Sequence, residues 1–304
     1  MLPIYSIINE KKMRGMIQAV SLSQIRDLMR RYEFFPRKKW GQNFLIDGNI
    51  LNKIVASCDL SQDDYVIEIG PGLGTLTMKL ADNSQGVLAI DIDRSLQVML
   101  QEVLSDYDNV KILFADILEV NLEEELVKAF TLPTIQPYQV CANIPYNITT
   151  PIIFYLLEKC PHLQSATLMM QKEVAERIMA SPGGKDYGLL TLTTSYYAHS
   201  ELLMNVSRNC FYPRPEVDSA VLRITPRQEK IKVNNEIIFK KLLRASFQKR
   251  RKTMLNICSD FSGQDKNQIQ GLLEQWGISP LARPENLSLD DFVLLANNLP
   301  LQEA

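Results

Sequence analysis

The chain has 304 residues, of which 46% are hydrophobic and 22% charged, and its formal net charge is -2. This length and apolar content are sufficient for one large domain with a smaller one appended to it. The near-neutral net charge excludes a uniformly basic nucleic-acid binder but leaves room for local basic clusters.

Cysteine and histidine spacing bears on metal sites and on the cellular compartment. The five cysteines form no CxxC pair, and the two histidines, His162 and His199, are far from any metal-ligand spacing. We therefore expect no metal. An odd cysteine count fits a reducing cytoplasm, and no stretch approaches the roughly 20 apolar residues of a membrane span. We expect a soluble, cytoplasmic protein.

Residues 1–20 contain an acidic residue and little arginine or serine, so they make a poor organelle transit peptide. We expect a loosely ordered or wrongly assigned start, with Met13 and Met16 as alternative initiators. A helix is predicted from Ser21 through Met29, because its apolar residues recur on one face.

Residues 26–40 combine six basic side chains with four aromatic ones. Such an arm is typical either of a solvated face over a hydrophobic staple or of contact with nucleic-acid phosphates. On the second interpretation Arg37, Lys38 and Lys39 bind RNA.

Short apolar runs then alternate with amphipathic helical segments. The runs are YVIEIG, GVLAIDID, VKILFAD, QVCANI and ATLMMQ. This alternation predicts an α/β fold, a buried, Rossmann-like, doubly wound parallel sheet with helices on both faces.

Beyond the glycine-containing loop at 181–188, the segments LTLTTSYYA and DSAVLRIT are rich in β-formers, and they predict an antiparallel hairpin at the sheet edge. From about residue 226 the sequence is polar and its pattern predicts helices. We therefore divide the chain into an N-terminal arm and covering loop (1–48), a sheet domain (49–226) and a small helical, RNA-binding domain (227–304).

The turn EIGPGLG, residues 68–74, follows the first predicted strand. In doubly wound sheets the ligand lies at such a turn, and glycines let the backbone approach it. The GxGxG spacing differs from the GxGxxG of dinucleotide folds, so it requires no pyrophosphate cradle. It indicates a nucleoside-bearing cofactor, with Gly70 beside it.

Acidic residues end the next two predicted strands. We assign Asp91 to the cofactor ribose and Asp116 to an adenine amino group, with Ile92 and Ile117 on either side of the ring. Each aspartate alone is more often a helix cap. The glycine-rich turn before them favours the binding interpretation.

The sequence NIPY follows the strand QVCANI. The Asn143 side-chain oxygen and the Ile144 carbonyl can accept both hydrogens of an adenine amino group, which aims the nitrogen lone pair at a methyl donor. Tyr146 can stack on the base. The alternative is an ordinary strand-to-helix turn containing proline.

A second aromatic candidate is Phe211, in the proline-stiffened loop NCFYPRPEVDSAV. It could hold a base against Tyr146, or it could fill the core beneath the loop. Arg208 and Arg214 flank it and could contact phosphate.

Residues 240–252 carry seven basic residues and no acid. Either this is a solvated helix face or it binds the RNA backbone, and the charge density favours RNA. The residues assigned to that contact are Lys249, Arg250, Arg251 and Lys252.

Seven ordered motifs resemble the ribosomal RNA small-subunit adenine dimethyltransferase family. They are KKWGQNFLID, VIEIGPGLGTLT, AIDIDRSL, ANIPYNITTPI, FYPRPEVDSAV, FQKRRKTMLN and RPENLS. The resemblance covers the chain from about residue 25 to its C-terminus. It implies a class I S-adenosylmethionine-dependent methyltransferase sheet with a helical C-terminal domain.

The resemblance also implies roles for individual residues. Asn43 and Leu45 would close over S-adenosylmethionine; Gly70, Asp91, Asp116 and Asn143 would contact it. Trp40 stands where leucine is common in the family, and Asp91 replaces the usual glutamate, which is one methylene longer.

For the substrate, the resemblance implies two adjacent adenosines in a hairpin loop near the 3' end of small-subunit (16S) ribosomal RNA. Both would become N6,N6-dimethyladenosine, with S-adenosylhomocysteine as the other product. The expected partner is the small ribosomal subunit late in its assembly, and we expect a monomer.

Three alternatives remain. A related antibiotic-resistance methylase modifies an adenosine of large-subunit RNA, but FQKRRKTMLN and RPENLS favour the assembly factor. A non-catalytic RNA platform could have lost the glycine turn, the strand-end acids or NIPY, all of which are present. A DNA adenine methylase would need a sequence-reading domain.

Overall fold

The computed structural model describes residues 22–37, 40–249 and 251–301. The sequence predictions for residues 1–21, Lys38, Lys39 and Arg250 lie outside these ranges. None of the described helices is both long and apolar enough to cross a membrane.

The described chain alternates helices and strands. The strands are β1 (Phe44–Leu45), β2 (Tyr65–Ile69), β3 (Gly86–Asp91), β4 (Val110–Phe114), β5 (Tyr138–Asn143), β6 (Leu163–Gln171), β7 (Ala198–Val206), β8 (Phe211–Tyr212) and β9 (Ser219–Pro226). The helices are α1 (Leu22–Arg31), α2 (Gly48–Cys58), α3 (Thr75–Ala81), α4 (Gln97–Val103), α5 (Leu122–Phe130), α6 (Thr149–Lys159), α7 (Lys172–Ile178), α8 (Leu189–Tyr197), α9 (Glu236–Gln248), α10 (Met254–Ser262), α11 (Lys266–Gln275) and α12 (Leu289–Asn298).

The main sheet has seven strands in the order β4-β3-β2-β5-β6-β9-β7. The pairs β2–β3, β3–β4, β2–β5 and β5–β6 are parallel, whereas β9 runs antiparallel to β6. The strand order reverses at β2, so the gap between the ends of β2 and β5 is a switch point at which ligands bind. The predicted doubly wound fold is confirmed.

Burial explains why the central strands carry few polar residues. All residues of β2 and β3 are buried, and their apolar side chains pack against the helices that connect the strands. The connecting helices begin at polar caps: Asp47 accepts hydrogen bonds from the first turn of α2, and Asn121 does so for α5.

The chain separates into two compact units. The first comprises the residues up to Ala175 together with Glu201–Pro226, and the second comprises Glu176–Ser200 together with the residues from Arg227 onward. Residues 176–200, which the sequence analysis placed in the sheet domain, thus cluster with the C-terminal helices.

The segment LTLTTSYYA does not form the predicted hairpin strand. Leu189–Tyr197 is helix α8, and β7 starts only at Ala198. Residues 190–194 are all buried, so the helix has no polar stripe to reveal its period. A short apolar run rich in β-branched residues cannot be distinguished from a buried helix by periodicity, and tertiary packing overrode the local preference.

The second unit has its own hydrophobic core. Side chains from α8 and from all four C-terminal helices meet there, including Tyr196, Phe239, Ile257, Leu273 and Phe292. Tyr187 adds a hydrogen bond to the Leu287 carbonyl, 2.9 Å away. The helical C-terminal region predicted from the sequence is therefore confirmed.

Candidate functional site

Two adjoining cavities lie at the carboxyl ends of β2, β3 and β5. Their volumes are about 830 and 610 Å³, and both open to solvent. They share five lining residues, namely Trp40, Gly70, Asp91, Ile92 and Pro145. After the roles predicted from the sequence we call the first, which Asn143 and Pro145 of NIPY line, the transfer cavity, and the second, which Asp91 and Asp116 line, the adenosine cavity.

The glycine-rich turn forms the floor of the transfer cavity. Gly70 and Gly72 have φ angles of 73° and 56°, in the left-handed region that favours glycine. A Cβ on Gly72 would lie 2.8 Å from the Phe44 ring, and one on Gly70 would lie 3.8 Å from the Asn143 carbonyl. A side chain at position 72 would therefore clash with the Phe44 ring, which lines the same cavity.

Asp91 ends β3 and lines both cavities. Its Oδ1 accepts a hydrogen bond of 2.8 Å from the Asp93 backbone N–H. Burial raises the pKa of Asp91 to about 6, against the opposing effect of backbone N–H groups of Asp93 and Gly72. At neutral pH the carboxylate is thus mostly ionised, dehydrated and able to accept hydroxyl hydrogens.

The adenosine cavity has the predicted acid and apolar walls. Asp116 is half-buried, and its Oδ1 accepts a hydrogen bond of 2.9 Å from the Leu118 backbone N–H. Ile92 and Ile117 both line the cavity. Leu118 lines it too, and the sequence analysis missed it. Ile92 and Leu118 are 41% and 37% exposed, which is unusual for such side chains and leaves them free to cover an aromatic ring.

Glu68 was also missed as a candidate. It is 1% exposed within β2 and lines the transfer cavity, and its Oε2 has no hydrogen-bond partner. Burial raises its pKa to about 8; the nearby Thr77 hydroxyl opposes that shift and the charge of Asp91 adds to it. A lone acid inside the apolar strand YVIEI was the sequence signal. Such a carboxyl suits a cationic part of a ligand.

Asn143 is held in one orientation. Its Nδ2 donates a hydrogen bond of 2.9 Å to the backbone carbonyl of Asn43, so its Oδ1 is the end left for a ligand amine. Ile144 is buried, and its N–H donates to the Met169 carbonyl at 3.0 Å. The structure thus places Asn143, the predicted hydrogen-bond acceptor, next to the glycine-rich turn.

Tyr146 is half-buried after Pro145. Its hydroxyl shares a hydrogen bond of 2.7 Å with Ser219 Oγ, which fixes the far end of the ring. Burial raises the pKa of Tyr146, so the phenol is neutral and is not a base. Proton transfer to the phenol is therefore not expected, and Tyr146 is not among the residues that line the two cavities.

Phe211 does not present its ring beside Tyr146. It is only 3% exposed, and it belongs to the hydrophobic cluster that contains Leu45 and Met169. Its strand β8 pairs antiparallel with β1, which places Phe211 opposite Leu45. The structure therefore supports the alternative weighed from the sequence, in which Phe211 fills the core beneath the loop.

The residues assigned to the covering loop lie on the transfer cavity. Asn43 and Leu45 both line it, and the Asn43 side chain donates to the Gly41 carbonyl at 3.1 Å. A Cβ on Gly41 would lie 3.7 Å from the Tyr146 nitrogen. Residues 40–45 therefore rest against the NIPY segment.

The predicted phosphate ligands near the cleft differ in availability. The Arg37 guanidinium lies 3.5 Å from Asp93. Arg208 is exposed, but it donates to the Glu216 carbonyl at 2.8 Å. The Arg214 side chain is exposed on the loop after β8. Of these three residues, Arg214 is best placed to meet a phosphate.

Part of the positive charge of the basic segment 240–252 is offset by an acid from outside the segment. Lys249 and Lys252 both pair with Asp260 of α10, at 3.2 and 3.1 Å. Hydrogen bonds from these two lysines lower the pKa of Asp260. Arg251, next to them, is exposed. The carboxylate of Asp260, which lies outside the segment, therefore offsets part of its positive charge.

Within the described ranges no three His, Cys, Asp or Glu side chains are grouped so that they could hold a metal ion. The five cysteines are free thiols.

Comparison with known proteins supports a single family. The family model described as ribosomal RNA adenine dimethylase matches residues 34–300. Proteins named ribosomal RNA small subunit methyltransferase A from Lachnoclostridium phytofermentans and Geobacillus kaustophilus are each 44% identical to the chain. The alignments cover 89% and 90% of this chain and 94% of each relative.

Two solved structures are also similar. A dimethyladenosine transferase from Plasmodium falciparum has a TM-score of 0.69 and 29% identity, over 83% of this chain and 95% of that one. The 23S rRNA methyltransferase ErmE has a TM-score of 0.64 and 27% identity, over 84% of this chain and 99% of that one.

From the buried carboxyl of Glu68 we predict how the stability of the protein depends on pH. Its folded pKa of about 8 exceeds the usual 4.5, so an unfolded chain ionises it first and stability falls as pH rises from about 4.5 to 8. Glu68→Gln should therefore be more stable than the unaltered protein at pH 8, by roughly 2–4 kcal/mol.

Urea unfolding of the cofactor-free protein at pH 5, 7 and 8 measures this difference. The exposed Glu119→Gln is the matched control and should leave the pH dependence unchanged. Equal pH dependence in Glu68→Gln and the unaltered protein would contradict the assignment.

Proposed function

The chain belongs to the ribosomal RNA adenine dimethylase family, and from that premise we propose that it transfers methyl groups from S-adenosylmethionine to adenosine N6 in small-subunit ribosomal RNA. One observation carries the proposal: Asn143 lies on the cavity that adjoins the two strand-end aspartates, with its amide nitrogen already bonded to Asn43. A methyl donor and an amine acceptor can therefore meet there.

The cleft fits S-adenosylmethionine chemically. Asp91 can accept the ribose hydroxyls, and Asp116 can accept from the adenine amino group, while Ile92 and Ile117 supply apolar walls. The unpaired, buried Glu68 carboxyl suits a positively charged portion of the cofactor. When bound, the cofactor supplies an electrophilic methyl group on a sulfonium, and S-adenosylhomocysteine is its product.

Asn143 and Ile144 would prepare the target nitrogen. Adenine N6 is a weak nucleophile because its lone pair is delocalised into the ring. Acceptance of both hydrogens by Asn143 Oδ1 and the Ile144 carbonyl would favour a tetrahedral nitrogen and orient its lone pair. The fixed amide of Asn143 means that this acceptor needs no reorganisation during the reaction.

Tyr146 would hold the base by stacking, with its hydroxyl anchored to Ser219. No protein base is required, because the alkylated nitrogen is acidic and loses its proton to water. Catalysis would then be orientation and electrostatics. Phe211 could join the stack only if β1 and β8 separated, since its ring is buried.

The substrate proposed in detail is a pair of adjacent adenosines in the 3'-terminal hairpin loop of 16S ribosomal RNA, each dimethylated at N6. The protein would act as a cytoplasmic monomer on the small subunit late in assembly. The small-subunit methyltransferases at 44% identity support this choice. Of the described cations assigned to RNA contact from the sequence, Arg214 and Arg251 are exposed and are proposed to meet its phosphates.

A second candidate is methylation of large-subunit RNA, favoured by the similarity to ErmE at a TM-score of 0.64. The higher identity of the small-subunit relatives, 44% against 27%, argues for the first candidate. A non-catalytic assembly platform is a third outcome that experiment must separate.

The proposed function is tested by the nucleosides formed. The purified protein is incubated with labelled S-adenosylmethionine and either undermethylated small subunits or large-subunit RNA, and the RNA is digested. We expect labelled N6,N6-dimethyladenosine from the small subunit alone. Label in large-subunit RNA would select the second candidate, and cofactor binding without label in either RNA would favour the platform.

Asn143→Ala should separate chemistry from RNA binding. Loss of the side-chain acceptor is expected to lower the single-turnover methylation rate by about 100-fold or more, with the RNA dissociation constant nearly unchanged. The exposed Asn209→Ala is the control and should retain full rate. Parallel loss of rate and RNA affinity would show that Asn143 does not act in the proposed way.

Charge reversal at Arg251 tests the RNA-contact assignment in the second unit. Arg251→Glu should weaken RNA binding and reduce the slope of log affinity against log salt by about 0.7 or more, because one phosphate contact is lost. The exposed Lys266→Glu, on α11 and outside the assigned patch, serves as the control. An unchanged slope for Arg251→Glu would remove this residue from the interface.

A further inference from the structure

Residues 40–45, the covering loop, are held to the end of β3 by a hydrogen bond between side chains. Gln42 Nε2 donates to Asp93 Oδ2 at 2.9 Å, across 51 residues of sequence. The other end of the same amide, Oε1, accepts from the Arg37 backbone N–H at 2.8 Å. Both ends of the Gln42 amide are therefore in use.

Asp93 is an unusual anchor because it is a charged group with only 3% of its surface exposed. Burial alone would raise its pKa, but hydrogen bonds from Ser95 and Gln42, with the Arg37 guanidinium, hold it below the usual value. Its Oδ1 accepts from the Ser95 N–H and hydroxyl. Gln42 supplies the side-chain donor to Oδ2, so its loss would leave a buried anion short of a partner.

The hydrogen bonds of Asp93 and Gln42 connect the carboxylate of Asp91 with the side chain of Asn143. On one side, Asp93 N–H donates to Asp91 Oδ1 at 2.8 Å, which orients the carboxylate assigned to the ribose. On the other side, Gln42 is followed directly by Asn43, whose carbonyl accepts from Asn143 Nδ2 at 2.9 Å. Two hydrogen bonds and one peptide unit thus link Asp93 to the acceptor for the target amine.

We propose that Gln42 and Asp93 are positioning residues, whose hydrogen bond fixes the covering loop so that Asn43 holds Asn143 with its side-chain oxygen toward the target amine. The inference rests on the proposed function and adds to it two residues that need not touch either substrate.

The loop has apolar anchors of its own, so its folding does not depend on Gln42. Phe44 and Leu45 are both buried, and Leu45 pairs with Phe211 in the small sheet. Loss of the Gln42 bond should therefore shift residues 41–43 without unfolding the protein. A positioning role and a purely structural role then predict different measurements.

A charge swap tests the bond directly. Gln42→Glu removes the donor and sets a carboxylate against Asp93, and Asp93→Asn removes the acceptor charge. In the double variant Gln42→Glu/Asp93→Asn, the new asparagine can donate to the new glutamate while its oxygen still accepts from Ser95. The bond is restored with the charge moved to the loop. Gln101→Glu, at an exposed position of α4, is the matched control.

The measurements are the single-turnover methylation rate at saturating S-adenosylmethionine and RNA, the dissociation constant for S-adenosylhomocysteine, and the melting temperature. For Gln42→Glu we expect the rate to fall by about tenfold or more and the melting temperature to fall by only several degrees, so that the variant is still fully folded at the assay temperature. The double variant should recover most of that rate. Gln101→Glu should match the unaltered protein in all three.

Two results would overturn the positioning role and leave the proposed function intact: an unaltered rate in Gln42→Glu, or a double variant no faster than the single one. A rate loss explained by lower melting would also overturn it, since that is what a structural role predicts. Absence of methyl transfer by the unaltered protein would instead refute the proposed function itself.

Discussion

Parallel pairing of β2 with β3 and β5 is the constraint on which the site depends. It brings the ends of three strands to one edge, so residues far apart in sequence, such as Gly70, Asp91 and Asn143, become neighbours. The register is held by strands buried along their whole length, which leaves no alternative face to turn outward. One local feature then completes the site at the end of each strand: a left-handed turn after β2, a carboxylate at the end of β3 and a proline after β5.

The pKa values of the three buried carboxylates near this edge are shifted in opposite directions. Burial raises the pKa values of Glu68 and Asp91, although backbone N–H groups donate to Asp91. Asp93 is also buried, but hydrogen bonds from Ser95 and Gln42 lower its pKa. Raised pKa values beside a cavity make Glu68 and Asp91 candidate ligand-binding groups, whereas Asp93 is engaged by the fold. At neutral pH Asp91 is mostly ionised, whereas Glu68, with a pKa of about 8, is mostly protonated. A cationic ligand would favour the ionised form of Glu68 and offset the cost of burying that charge.

Much of this could be predicted from the sequence because the signals were local. Strand-helix alternation, the glycine turn and NIPY each depend on a few adjacent residues, and the structure has them where expected. The errors came from contacts between distant segments. Helix α8 was predicted to be a strand because its run of buried residues shows no helical period. The positive charge of Lys249 and Lys252 is partly offset by Asp260, which belongs to another helix. Base stacking was proposed for Phe211, with core filling as the alternative, because nothing local reveals that β1 pairs with its strand. The partner of Gln42 likewise could not be found without the fold, whereas Glu68 had a local signal, a lone acid in an apolar strand, that the sequence analysis did not use.

The discontinuity of the second unit has a consequence for how the chain can be divided. Residues 176–200 leave the sheet between β6 and β7 and pack with helices that come much later. A protein ended at Pro226 would keep Tyr187, Leu192 and Tyr196 while losing the side chains that bury them. It would expose an apolar surface inside a surviving insertion, with self-association as the physical outcome. The C-terminal helices therefore behave as the second half of an interrupted domain, and gene fusion or loss at that boundary would be poorly tolerated during evolution.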